Sequence, residues 1–192
     1  MIKEVNKMRT KITIVSLILF VIAAYSFTFA EYAHKAGAFK YVGVQTCVGA
    51  CHKTDAQGKQ LDIWQSSKHA NAFKTLQTPE ADKIAKDKGF TTPAAETPQC
   101  LKCHTTGKDI DQSEFESTFN IQDGVQCETC HGPGSEYKKL SIMKDIEKAK
   151  ENGLIVHTEK EAFCTSCHNS ESPTFKSFNY EEMWSKIAHK KP

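Results

Sequence analysis

All eight cysteines of this chain fall in four short cassettes, and each cassette ends in a histidine. They are Cys47-Val48-Gly49-Ala50-Cys51-His52, Cys100-Leu101-Lys102-Cys103-His104, Cys127-Glu128-Thr129-Cys130-His131 and Cys164-Thr165-Ser166-Cys167-His168. Two thiols held a short arc apart reach the two vinyl groups of one haem, and the histidine after the second cysteine then lies under the iron. No cysteine is left over. The pattern constrains the fold severely, because four chain segments must each wrap the edge of a rigid porphyrin. It predicts four covalently bound haem c groups, with electron transfer as the expected function.

The histidines carry the specificity of this reading. A lone CxxC also serves zinc ribbons, redox thiols and iron–sulfur sites. Histidine makes up 8 of the 192 residues, so its recurrence at one fixed position in four cassettes has odds of roughly three in a million by chance. A zinc site built from paired CxxC motifs does not need His after every second Cys. A disulfide framework explains neither the pairing nor the histidines. The first cassette holds three intervening residues rather than two, and small Gly49 and Ala50 let the extra residue loop out.

The N-terminus reads as a secretory signal. Lys3, Lys7, Arg9 and Lys11 form a basic stretch, and residues 12–24 form an apolar run too short for an ordinary membrane span. Thr28-Phe29-Ala30 offers a cleavage site, which divides the chain into a signal at 1–30 and a tetrahaem domain at 31–192. An uncleaved membrane anchor is the alternative. Either way the haem domain is exported, to the periplasm or the cell surface. Setting aside residues 1–30 removes four basic side chains and one acidic one, which leaves 21 and 22 and a balance of −1. No basic stripe interleaved with aromatics points to nucleic acid. With about 40 residues per haem, the apolar side chains alone cannot build an ordinary core, and the porphyrins must supply much of it.

Between the cassettes the pattern is mainly helical. Leu61, Trp64, His69 and Phe73 predict a helix over 57–76 with Pro79 as its stop. A short charged helix is expected over 79–88, closed by Gly89, and a loop over 91–98. Alternation over 115–122 suggests a short strand or hairpin arm. Ser135 is expected to cap a helix reaching 151 after the Gly132-Pro133-Gly134 turn. Helical turns are expected at 159–168 and at 180–189, the latter with Met183, Trp184 and Ile187 on one side. The cassettes lie 53, 27 and 37 residues apart, so they repeat a motif and not a fold unit.

His52, His104, His131 and His168 are proximal ligands by position. His34, His69, His157 and His189 remain, one sixth ligand for each of four irons. Imidazole on both sides gives low-spin iron suited to an electron relay. The methionines are poorer candidates, since Met1 and Met8 lie in the signal and Met143 and Met183 sit at packing positions. Small neighbours around His69 would let a haem face approach. His189 lies one turn beyond Ser185, His157 follows an extended Leu154-Ile155-Val156 stretch, and His34 follows the cleavage site. Should one iron lack its sixth ligand, a small molecule such as nitric oxide would find an open site. Should His34 ligate a haem in another copy, subunits would join into a conducting filament. Lys138-Lys139 and Lys190-Lys191 could dock an acidic partner, although lysine pairs most often mark solvated faces.

With these motifs in hand, the chain resembles the cytochrome c554 family of tetrahaem cytochromes over nearly all of its exported part. The likeness rests on Tyr41-Val42-Gly43, on Trp64 with Ser67-Lys68-His69-Ala70, and on Cys100 to Gly107. The block from Gly124 to Gly134 and the stretch from Phe178 to Met183 leading to His189 complete it. The resemblance implies a mainly α, compact fold with little β, wrapped round stacked haem pairs, 1 with 3 and 2 with 4. It implies that His69 is the distal ligand of haem 3 and His189 that of haem 4. It also implies redox partner proteins, such as other cytochromes or quinol-linked reductases. In one member of the family haem 2 is open and a histidine soon after the Gly134 position closes haem 1. Here no histidine follows Gly134 closely, and His157 is the substitute.

Overall fold

Helices of one or two turns, joined by tight loops, make up the regular structure in this computed structural model, which describes residues 39–49, 52–107 and 110–189. Residues 1–30, read above as a secretory signal, and His34, Cys51 and Lys190-Lys191 lie outside the described residues. From Phe39 onward the chain forms one compact unit. The α-helices are α1 (Val44–Val48), α2 (Gln60–Ser66), α3 (Ala72–Leu76), α4 (Pro79–Asp87) and α5 (Pro98–His104), then α6 (Cys127–His131), α7 (Leu140–Met143), α8 (Ile146–Glu151), α9 (Lys160–Thr165) and α10 (Tyr180–Ile187). Among the described residues the β content is a single parallel bridge between Tyr41 and Phe115. The mainly α expectation with little β is met.

Several boundaries differ from the sequence expectations, and each for a local reason. The helix expected over 57–76 is split into α2, a 3-10 turn at His69–Asn71, and α3. Ser67 causes the break: its hydroxyl donates to the Trp64 carbonyl (2.7 Å) and accepts the His69 N–H (3.2 Å), offering the backbone a non-helical alternative. Pro79 starts α4 rather than merely stopping the preceding helix. Thr78 Oγ1 accepts the Ala81 N–H at 3.2 Å, and proline in a first turn costs no hydrogen bond. Part of the loop expected over 91–98 forms a 3-10 turn at Ala94–Glu96, and Pro98 opens α5.

No strand forms over 115–122. Tyr41 N donates to Glu114 O (2.8 Å) and Glu116 N to Tyr41 O (2.9 Å), and the ladder ends there. The alternating aromatics instead bring Phe115 and Phe119 into a stack, centres 4.2 Å apart. Nor does one helix run from Ser135 to 151. Ser135 is buried and bonds Lys40 through both its N–H and its hydroxyl, so it caps nothing. Asp145 caps α8 instead, accepting the Lys148 N–H at 3.2 Å.

The apolar core is thin. Its buried members are Val42, Val44, Val48, Phe73, Leu76, Ala85, Ala94 and Ala149, of which three are alanines. Leu76, Ala85 and Ala94 pack together, backed by Phe90, Leu101 and Cys100 among others. Helix α10 buries none of its residues, and Met183 is exposed. Helices this short are not stable in isolation. Something other than aliphatic packing must hold them, as the count of residues per haem implies.

Candidate haem-binding site

Helices α5 and α6 each hold a whole cassette. Helical pitch puts the two thiols, three residues apart, and the histidine, four residues after the first thiol, on one face. In the fourth cassette Cys164 lies in the last turn of α9, and Cys167 and His168 both return their N–H groups to the Cys164 carbonyl, at 3.2 and 3.0 Å. In the first, α1 carries Cys47. Gly49 follows with φ +43° and nothing within 4 Å of where a Cβ would stand, so the extra residue has room.

The histidines meet in twos. The rings of His69 and His168 have centres 6.0 Å apart and a tilt of 52°; those of His131 and His189 are 5.8 Å apart at 55°. Metal–imidazole bonds are about 2 Å long and the ring centre lies about 1 Å further back, so two imidazoles on opposite sides of one metal hold their centres about 6 Å apart. Both pairs match that separation. Among the described residues no three His, Cys, Asp or Glu side chains converge as a tetrahedral zinc site would need. Burial, and then His189, His157 and His52 nearby, push His131 down to about 4; burial and then His168 lower His69. Both are therefore neutral at pH 7, the form that binds metal. The His189 Nδ1–H donates to the Ile187 carbonyl at 3.0 Å and leaves Nε2 free.

The pairing reverses what the resemblance implied. His69 faces the histidine of the fourth cassette and His189 that of the third. The backbone of His69 borders the third cassette, since Val125 N donates to its carbonyl at 3.0 Å, while its ring meets that of His168. His104 meets no other imidazole among the described residues. Its Nδ1–H donates to the Ala72 carbonyl (2.9 Å), which fixes the tautomer with Nε2 available. His157 stacks on Phe163 with centres 3.9 Å apart, and its Nε2 donates to the Cys130 carbonyl at 2.9 Å. It sits beside the third cassette and not in ring contact with His52.

Contacts between cassettes order them in space. The helices that carry Cys47 and Cys127 pack against each other, and the two thiols lie close enough to perturb one another, which joins the first cassette to the third. Burial and then the neighbouring Cys164 push Cys130 up to about 11, so third and fourth cassettes adjoin. Lys102 of the second cassette forms an ion pair with Glu171, just after the fourth, and feels Cys167.

A buried polar hub within and around the third cassette was not read from the sequence. Glu128, between the two cysteines, is 1% exposed and accepts three backbone N–H groups: Val42 (2.9 and 3.0 Å, one to each oxygen), Gly43 (2.8 Å) and Gly134 (2.7 Å). Gln126 Oε1 accepts from Val44 N at 2.8 Å and its Nε2 donates to Asn120 O at 2.8 Å. Thr106, two residues past His104, hydrogen-bonds Thr129 (2.6 Å) and accepts the Gln126 N–H (2.8 Å). The side chains between and before the third pair of cysteines thus grip the approach to the first cassette and the exit of the second. The available signal was a Glu and a Gln set in the glycine-rich, otherwise weakly charged stretch from Gly124 to Gly134.

The chain is similar to known proteins in both sequence and fold. Residues 46–132 match the family model described as cytochrome c554 and c-prime, a span that contains the first three cassettes. The sequence is 30% identical to cytochrome c-554 of Nitrosomonas europaea over 165 residues, which cover 77% of this chain and 65% of that protein. The chain thus spans somewhat less than two thirds of the length of this curated relative. The solved structure of the reduced state of cytochrome c554 from Nitrosomonas europaea superposes with a TM-score of 0.51 at 21% identity, over 80% of this chain and 85% of that one.

Proposed function

We infer that this chain belongs to the cytochrome c554 family, whose members bind four c-type haems, and that it is an exported carrier that passes electrons between redox proteins. Bound haem supplies a one-electron iron couple; the chain supplies ligands, burial and spacing. The observation that carries the reading is the pair of facing imidazoles, His69 with His168 and His131 with His189, each at the separation of two ligands on one metal. Two imidazoles per iron keep the coordination shell unchanged on reduction, which is what a relay needs.

The eight cysteines hold the four haems in the proposal, with His52, His104, His131 and His168 as proximal ligands. His168 shares the fourth iron with His69, and His131 shares the third with His189. The meeting of Cys47 and Cys127 sets the first haem beside the third cassette, where His157 lies, and this supports His157 as the sixth ligand of the first iron after a turn of its ring away from Cys130. Signal-like residues 1–30 support export to the periplasm or cell surface, and among the described residues no helix is long and apolar enough to cross a membrane. Partners in this reading are other cytochromes or quinol-linked reductases. The test is stoichiometric: the purified holoprotein takes up four electrons per chain, returns them to an oxidant, and transfers them to an added cytochrome. Failure to release electrons to any protein acceptor would overturn it.

A second reading concerns the second haem alone. His104 has a fixed proximal tautomer and no imidazole opposite it among the described residues, which favours an open position for a small ligand such as nitric oxide. Nitric oxide added to the reduced protein would bind one iron in four under this reading, and none if His34 closes the site.

A further inference from the structure

We infer that Glu128 is a positioning residue for the first and third haems, and that its buried negative charge holds their potentials down. The inference rests on the four-haem reading above. Glu128 lies between Cys127 and Cys130, yet its carboxylate takes no part in haem attachment. It reaches 85 and 86 residues back along the chain to the N–H groups of Gly43 and Val42, and six forward to that of Gly134. Helix α1, which presents Cys47, begins at the next residue, Val44, whose own N–H is held by Gln126. The helices that present Cys47 and Cys127, the thiols that attach the first and third haems, then pack against each other. One carboxylate therefore fixes how closely the two cassettes approach.

The charge argument is separate from the geometric one. Every group within hydrogen-bond reach of the two oxygens is an N–H donor, and a protonated carboxyl would set its own O–H against one of them. Burial pushes the Glu128 carboxyl above the ordinary carboxylate range, and the three donors together with Lys138 oppose that rise. With donors on both oxygens the ionised form is the one the site accommodates. Its charge raises the cost of a negative charge on both Cys47 and Cys127. Haems attached to those thiols feel the same field, and a fixed negative charge favours oxidised iron. The second cassette has no such carboxylate: Leu101 and Lys102 stand between its cysteines, and Thr165 and Ser166 between those of the fourth.

The experiment compares Glu128→Gln and Glu128→Asp with wild-type holoprotein by intact mass and by optical redox titration of all four haems. For Glu128→Gln the expected result is four haems retained and two of the four potentials raised, each by about tenfold in electron affinity, or about 59 mV for a one-electron couple. Glu128→Asp, which keeps the charge, is expected to restore the two potentials toward wild type. Four unmoved potentials, or four that move together in Glu128→Gln, would overturn the inference. Should Glu128→Gln fail to mature, infrared redox-difference spectra of wild-type protein with isotope-labelled glutamate decide it. A buried ionised carboxylate band shifting on reduction supports the inference; a protonated carboxyl band contradicts it. Wild-type protein with fewer than four haems would instead refute the four-haem reading itself.

Discussion

Gly124→Ala should open one haem iron without touching a ligand. Gly124 has φ +74° and ψ −139°, a conformation that side-chain-bearing residues rarely adopt and that costs about 1–3 kcal/mol when forced. An added Cβ would stand 2.6 Å from the His69 carbonyl oxygen and 3.3 Å from Ala72 N, both backbone atoms, so the turn at His69–Asn71 has to move. Overpacking of this kind costs about 1–3 kcal/mol more. The sum, about 2–6 kcal/mol, corresponds to a Tm fall on the order of 10 °C for a domain this size. The same carbonyl accepts the Val125 N–H, so a shift there tilts the His69 ring away from His168. Visible and EPR spectra of the oxidised holoprotein should then show one iron in four converted from low spin to high spin, with all four haems still attached. Gly89→Ala is the control: Gly89 has φ +85° but nothing within 4 Å of its Cβ position. It should lose only the conformational cost, about 1–2 kcal/mol, with no change of spin state. Unchanged spin in Gly124→Ala, with a Tm no lower than that of Gly89→Ala, would refute the link between this turn and the ligand pair.

His69→Ala and His189→Ala should each convert one iron to high spin, at the fourth and third haems respectively, with haem content unchanged by mass. Gly132→Ala should fold poorly, because its Cβ would sit 2.5 Å from the Gly153 carbonyl oxygen at φ +74°, and a lower yield of holoprotein at equal expression checks this. Asn179→Ala removes the cap on the Glu182 N–H (3.1 Å) and should cost about 1 kcal/mol, read as a Tm lower by about 2–4 °C. The backbone and side-chain contacts of Asp145 with Lys148 hold its carboxyl below the ordinary range, and Ser113 does the same for Asp111. Since the folded value lies below the unfolded one, their contribution is complete above about pH 4 and fades as the pH falls below it. The acid limb of Tm against pH should therefore flatten in the Asp111→Asn, Asp145→Asn double variant.

The parts of this molecule that are local in the chain were legible in its sequence. A cassette is a covalent instruction contained in five or six residues, so Cys100 to His104 declares its chemistry without reference to the rest. What failed to read depends on contacts far apart in the chain. The partner of His69 is 99 residues away at His168, and its backbone and ring serve different cassettes. Apolar periodicity over 57–76 marked the right residues as inward-facing, but the hydroxyl of Ser67 ended the helix that the period suggested. Ser135 looked like a cap because serine after Gly-Pro-Gly often is one; here Lys40, 95 residues earlier, claims it. Glu128 was hidden by its position, since residues between two haem cysteines read as spacers.

The account stands on facing imidazoles becoming iron ligands, and spin quantification tests that most directly. The measurement is an EPR spectrum of oxidised, purified holoprotein, integrated against total haem iron. Low-spin iron should account for at least three haems in four, with the third and fourth carried by His131 with His189 and by His168 with His69. Two or more high-spin irons per chain would contradict the account.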